Sequence, residues 1–314
     1  MRTLTLCAAL LSIAAAPSPA SPKGSEGGPE RITSGAHVVI TTPEGAATSG
    51  PYFVEGAEPG DLIVVSIEKL EPHRTTATSP SFMVPNSFDA GGLSNKAAAP
   101  VPWTIDKAKG VVSLDLKKVI PNVDWAARYT PPVYELPLKP ALGIIGTAPE
   151  SGESKVATAG AGAKVLLPVY RPGALLFLGH GLARHGDGDV VGSGIETTLD
   201  VAFSVEVVKK KEWPHSSVAR AATIAGEFPI EWPRIETSEY LMAVGSASSL
   251  HEALRHATTE LHHWMDDDFG FSERSLSIFL GPAIEYEVTS LAGPTFVVTA
   301  KVKRAYIPKI TPAP

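Results

Sequence analysis

The segment Thr198–Val208 reads TLDVAFSVEVV and decides the class of the fold. Apolar side chains alternate with polar or small ones, so one face of the segment is apolar and the other polar. A period of two predicts a half-buried antiparallel strand. Shorter strand patterns bounded by Gly, Pro, Asp or Ser occur along the chain. They lie at Val38–Thr41, Tyr52–Val54, Leu62–Leu70, Val111–Leu116, Leu142–Ile145, Lys164–Val169, Ala174–Leu178, Ala283–Thr289 and Thr295–Lys303.

One main helix is predicted near the C-terminus. Ser249 can cap it, and Glu252 three residues later completes a capping box. Apolar side chains then fall on one helical face, at Leu250, Ala253, Leu254, Ala257, Leu261, Trp264 and Met265. Gly270 ends this helix, and a short second helix is predicted over Glu273–Phe279. The pattern predicts a β-rich α+β fold, with mostly antiparallel sandwich or barrel sheets and one main C-terminal helix.

Composition excludes two broad classes of protein. The 314 residues carry a formal net charge of -6, and the sequence pI is about 5.9. A nucleic-acid binder needs a basic surface, which this balance argues against. No stretch reaches the roughly 18–20 apolar residues that a membrane span requires. We therefore expect a folded globular protein without nucleic-acid partners or a membrane span.

The first 20 residues have the order of an export signal. Arg2 supplies a positive charge, Leu4–Ala16 forms a short apolar core, and Ser18–Ala20 offers small residues for cleavage. Export to the periplasm or the extracellular space is therefore predicted. Cleavage after Ala20 would remove Cys7, the only cysteine, and would exclude a cysteine nucleophile from the mature protein.

The rest of the chain is predicted to be one domain. Residues 21–31 are a polar linker rich in Gly and Pro, and residues 309–314 are a tail. The domain occupies residues 32–308, with a sub-boundary near 209–226. Thr75–Pro102 has little periodicity and is predicted to be a long surface loop.

The densest polar cluster is Gly179–Asp189, which reads GHGLARHGDGD. His180 and His185 are candidate metal ligands, and Asp187 and Glu196 are candidate catalytic carboxylates. Imidazole and carboxylate groups between flexible glycines can surround a cation or a polarised water. The alternative is a tight β-turn, for which Asp-Gly is a standard pair. The histidines of the helix, His251, His256, His262 and His263, are better explained as a solvated helix edge.

Four segments together resemble the acetamidase/formamidase family. They are Gly50–Asp61 (GPYFVEGAEPGD), Leu136–Pro149 (LPLKPALGIIGTAP), the run from Leu167 through the polar cluster to Glu196, and Trp232–Thr237 (WPRIET). The resemblance covers most of residues 50–304. It implies a β-rich α+β fold and the hydrolysis of short linear amides to acid and ammonia. It also implies a divalent metal in or near the site, and a homodimer.

The polar cluster departs from the family pattern Gly-Asp-x-His-Ala-x-Gln-Gly-Asp-Gly-Glu. His180 stands at the Asp position, Leu182 at the His position, His185 at the Gln position and Asp189 at the final Glu position. His180 and His185 could rebuild a metal site, for which zinc is favoured because nitrogen ligands suit it.

Two functions follow from this comparison. In the first, a water bound to the metal, or activated by Glu196 or Asp187, attacks the carbonyl of a small amide substrate. In the second, the protein is a non-catalytic periplasmic binding or interaction protein descended from the amidase fold. The first function requires Glu196 and Asp187 to share one concave site, with His180 or His185 nearby.

Overall fold

The computed structural model describes residues 28–89, 100–119, 132–149, 155–210 and 230–307. The predicted signal at residues 1–20, most of the linker, the tail at 309–314 and nearly all of the 209–226 sub-boundary lie outside these ranges. The strands are β1 Glu30–Ile32, β2 His37–Thr41, β3 Thr48–Val54, β4 Leu62–Pro72, β5 Thr76–Ser79, β6 Val101–Asp106, β7 Val111–Asp115, β8 Val133–Pro137, β9 Ala141–Gly146, β10 Val156–Gly160, β11 Lys164–Pro168, β12 Leu176–Arg184, β13 Ile195–Glu196, β14 Leu199–Val208, β15 Arg234–Glu236, β16 Tyr240–Ala247, β17 Glu285–Ser290 and β18 Phe296–Lys303. The helices are α1 Leu116–Val119, α2 Leu250–Phe269 and α3 Glu273–Ala283.

The strands form two sheets. The first has the order β1-β3-β12-β13-β5-β6-β7-β8, with β9 paired to both β12 and β10. The second has the order β17-β18-β16-β15-β11-β4-β14-β2. The described strand pairs are antiparallel except β1 with β3, and the largest apolar core draws on strands of both sheets. The predicted β-rich α+β class is therefore confirmed.

The alternation in β14 is the basis of this core. Leu199, Val201, Phe203 and Val205 are fully buried, whereas Glu206 on the opposite face is exposed. β14 pairs with β4 on one side and with β2 on the other. The apolar face of one amphipathic strand thus joins both neighbours to the inter-sheet core.

Helix α2 packs on one face of the second sheet. Ser249 Oγ accepts a hydrogen bond from the backbone N–H of Glu252, and Gly270 ends the helix at a φ of 66°. Its apolar face packs against β16 and β18. The predicted start and end of this helix are therefore confirmed, whereas α3 runs to Ala283 instead of ending at Phe279.

A buried ion pair joins α2 to the sheet. Arg234 Nε on β15 donates to Glu260 Oε1 at 2.6 Å, and both side chains are almost fully buried. Glu260 Oε2 also accepts from the backbone N–H groups of Glu231 and Trp232. His256 stacks on Trp232, with 4.7 Å between ring centroids, so the prediction of a solvated edge was wrong for this histidine.

The structure corrects two loop predictions. Thr75–Pro102 includes β5, a short 3₁₀ turn at Pro85–Ser87 and the start of β6, so its described part is not one long loop. Threonine-rich β5 is short and pairs with β6, so neighbouring strands rather than its own pattern determine it. β12 continues through Arg184, which places His180 within a strand instead of in the loop that follows it.

Candidate active site

His180 occupies an unusual position in β12. Its φ is 54°, in the left-handed region that side chains other than glycine seldom adopt. The ring lies against Gly143 of β9, where an added Cβ would come 2.6 Å from His180 Nδ1. Glycine at position 143 therefore leaves the space that the imidazole occupies.

His180 and Ser193 both bind Glu196. His180 Nε2 lies 3.0 Å from Glu196 Oε1, and Ser193 Oγ donates to the same oxygen at 2.6 Å. A carboxylate only accepts hydrogen bonds, so Nε2 of His180 carries the proton. The hydrogen bond from His180, followed by that from Ser193, lowers the pKa of Glu196 despite partial burial. Glu196 is therefore ionised at neutral pH, with both described bonds on one oxygen.

The pKa of Asp189 is shifted in the opposite direction to that of Glu196. Burial is the main cause that raises the pKa of its carboxyl above the ordinary value. Electrostatic interaction with His185 and His180 lowers this pKa, and interaction with Glu196 raises it. Among the described residues, Asp189 Oδ1 is a buried atom without a hydrogen-bond partner. The proton on this carboxyl is therefore easier to retain than on an exposed aspartate.

The backbone around Asp189 is held by distant segments. Asp189 has a φ of 42°, and the neighbouring Gly188 C=O accepts a hydrogen bond from Leu291 N–H at 2.9 Å. Val84 N–H donates to the C=O of Val190 at 2.8 Å. Sparsely populated backbone conformations at both His180 and Asp189 are typical of sites where the surrounding structure fixes a functional geometry.

The structure treats the four predicted site residues differently. His180 and Glu196 are brought into direct contact. His185 follows the end of β12 and lines a neighbouring cavity. Asp187 begins a single 3₁₀ turn and is exposed, and its catalytic role stays a prediction. Sequence reasoning assigned no role to Ser193 or Asp189, although Ser193 precedes Glu196 by three residues and Asp189 ends the Gly-Asp-Gly-Asp run.

The placement of the His180 ring does not favour the predicted metal site. Either imidazole nitrogen can bind a metal, but His180 Nε2 is engaged by Glu196 and Nδ1 faces Gly143. In the described ranges no group of three or more His, Cys, Asp or Glu side chains is arranged to hold an ion. The donors as they are placed do not fit a zinc site, which needs three or four ligands.

The family model described as the Acetamidase/Formamidase family matches residues 139–304, which is more than half of the chain. The chain belongs to the acetamidase/formamidase family. The match includes β9, β12 and the His180–Glu196 pair, so the candidate site lies inside the family region. No curated protein matches the sequence.

Solved structures share the fold of this family member. Acetamidase from Yersinia enterocolitica has a TM-score of 0.67 at 22% identity, covering 91% of this chain and 88% of the other. Acetamidase from Bacillus halodurans gives 0.67 at 22% identity, with 90% and 94% covered. A recombinant predicted acetamidase/formamidase from the thermophile Thermoanaerobacter tengcongensis gives 0.67 at 22% identity, with 90% and 92% covered. At this identity the likeness establishes the fold.

In the part of the chain that the structure describes, no helix combines the length and apolar character needed to cross a membrane.

Proposed function

We propose that this family member hydrolyses the C–N bond of short linear amides and releases ammonia. The observation that carries the proposal is the carboxylate of Glu196, which His180 and Ser193 hold by one oxygen within the family region. The pKa of Glu196 is lowered and that of Asp189 is raised. Two carboxyl groups whose environments separate their pKa values can divide the roles of base and acid.

Glu196 is the general base. Its Oε1 is held by His180 and Ser193, so Oε2 is the oxygen that takes a proton from the attacking water. The water oxygen then bonds to the amide carbon, and the carbonyl oxygen becomes an oxyanion. His185, which follows β12 on the same chain segment, is the side chain assigned to stabilise that oxyanion by donating a ring N–H.

Asp189 is the general acid. Burial favours the protonated form of its carboxyl, and its proton passes to the amide nitrogen as the C–N bond breaks, which yields the carboxylic acid and ammonia. Asp187 is the alternative acid from the same turn, two residues earlier. Its exposed side chain receives none of the burial that raises the pKa of Asp189.

Three further proposals accompany this function. Residues 1–20 direct export and are removed, which places the enzyme in the periplasm or outside the cell. The active form is a homodimer, as the family resemblance implies. The third is that zinc does not bind at His180 and His185 in this arrangement, because binding would require the imidazole of His180 to leave Glu196, and no catalytic step depends on zinc.

Ammonia release from formamide and acetamide by the purified protein tests the function. Glu196→Gln keeps the size of the side chain but removes the base, and should lower the rate by roughly 10²–10⁴-fold. Glu206→Gln is the matched control, because Glu206 is exposed on β14. Absence of ammonia release by the wild-type protein, with or without added zinc, would favour the non-catalytic binding protein.

A further inference from the structure

The inner face of the second sheet becomes polar at one end. β16, β17 and β18 place Tyr240, Glu287, Thr289, Thr299 and Lys301 around one cavity. Their opposite face carries apolar side chains such as Leu241, Ala300 and Val302, which pack with α2. The inner face of a β-sandwich is ordinarily apolar, because the facing sheet buries it. Core packing therefore does not explain these polar residues.

A cavity of about 490 Å³ separates this face from the first sheet. Its other wall consists mainly of small apolar side chains, at Ala141, Ala159, Ala161 and Ala163 near β9 and β10. The volume falls within the roughly 300–1,000 Å³ of small-molecule sites. Of the four residues predicted to form the active site, His185 lines this cavity and the other three do not.

The lining of the cavity contains two lysines and two glutamates. Lys301 Nζ donates to Glu287 Oε2 at 2.9 Å, and the two side chains are only 19% and 26% exposed. Burial alone would lower the pKa of Lys301, but the bond to Glu287 raises it, so the ammonium is charged. Lys139 and Glu239 add a second positive and a second negative charge among the lining residues.

The ion pair retains capacity for a ligand. An ammonium has three donors and a carboxylate has about four acceptor positions, so one bond between them leaves both groups able to bind more. A singly charged ligand would have to compete with one partner and leave the other half-buried and unpaired, which is costly. A ligand with both charges can satisfy Lys301 and Glu287 together.

We propose that this cavity binds a small aliphatic zwitterion, a molecule with a carboxylate and an ammonium group on a short hydrocarbon body. The carboxylate pairs with Lys301, the ammonium pairs with Glu287, and the hydrocarbon lies against the alanine wall. The hydroxyl groups of Thr289 and Thr299, which are 2.9 Å apart, lie in the same cavity as further polar contacts. This site is separate from Glu196 and goes beyond the proposed hydrolysis.

Titration calorimetry with 4-aminobutanoate as the probe tests the proposal. Butanoate and butylamine each carry one of its charges, and glycerol carries none. The zwitterion should bind at least about tenfold more tightly than each of these, because it alone satisfies both charges. Equal affinity for the zwitterion and a singly charged or uncharged probe, or no binding of the zwitterion, would overturn the proposal.

Variants locate the binding. Glu287→Gln and Lys301→Met should each reduce the affinity for 4-aminobutanoate roughly tenfold. The double variant Glu287→Gln/Lys301→Gln leaves no unpaired charge if a single variant fails to fold, and should lose the preference for the zwitterion. Glu196→Gln should bind the probe with wild-type affinity, because Glu196 does not line this cavity. The binding result therefore does not depend on whether the protein hydrolyses amides. Wild-type affinity in the Glu287 and Lys301 variants would overturn the assignment.

Discussion

Gly143→Ala should displace the imidazole of His180 without touching a reacting group. The new Cβ would lie 2.6 Å from His180 Nδ1 and 3.1 Å from its Cγ. A separation below 3.0 Å forces a shift, and the side chain moves more easily than the backbone of β9. Loss of the 3.0 Å bond to Glu196 follows, and a hydrogen bond to a charged group contributes about 1.5–3 kcal/mol.

The expected rate of amide hydrolysis falls by roughly ten- to a hundredfold, since about 1.4 kcal/mol corresponds to a factor of ten. A second measurement does not depend on activity. Carboxyl NMR titration should show the pKa of Glu196 rising toward 4.5, because the bond from His180 is the main cause that lowers it. Gly186→Ala is the matched control, since its added Cβ meets no atom within 4 Å and its φ of -110° suits alanine. An unchanged Glu196 pKa in Gly143→Ala would refute the positioning role of His180.

Arg234→Met should destabilise the protein by about 3–5 kcal/mol in urea unfolding, because it leaves the buried charge of Glu260 without its cationic partner. The double variant with Glu260→Gln should recover part of this loss, and no recovery would contradict the explanation. Zinc titration calorimetry at neutral pH should detect no micromolar site, because His180 is bonded to Glu196. The zinc site would be established instead by binding that weakens below pH ~6.5. Such binding should be abolished by His180→Ala and by His185→Ala, but not by His251→Ala. N-terminal sequencing of the protein from its native host should begin after Ala20, and an intact Met1 on a cytosolic protein would contradict export.

The sequence predicts a strand or helix best when the residues of that element show its hydrophobic period or its cap. The alternation of β14 and the cap of α2 are local signals, and both match the structure. β10, β15 and β16 were not predicted, because their partners in the sheets rather than their own periodicity determine them. The same holds for β5, whose threonines gain strand structure from β6.

The site is predictable in part for a related reason. The crowding of His, Asp and Gly indicated the segment that contains the candidate site, and the pairing of β12 with β13 brings His180 to Glu196. Asp187 is exposed and Asp189 is half-buried, and the turn that contains both contacts β17, a strand far along the chain. Spacing carries no information on that burial, so the sequence alone could not identify the carboxyl with the raised pKa.

The pH dependence of kcat/KM for acetamide in the wild-type protein and Asp189→Asn tests the central claim most directly. Asparagine tolerates the positive φ at position 189, so the substitution removes the acid and preserves the backbone. The wild-type profile should be bell-shaped: the acid limb reports the lowered pKa of the Glu196 base, and the alkaline limb reports the raised pKa of the Asp189 acid. Asp189→Asn should be slower and lack the alkaline limb, whereas Asp187→Asn should keep it. An alkaline limb that persists in Asp189→Asn would contradict the assignment of the two carboxyl groups as base and acid.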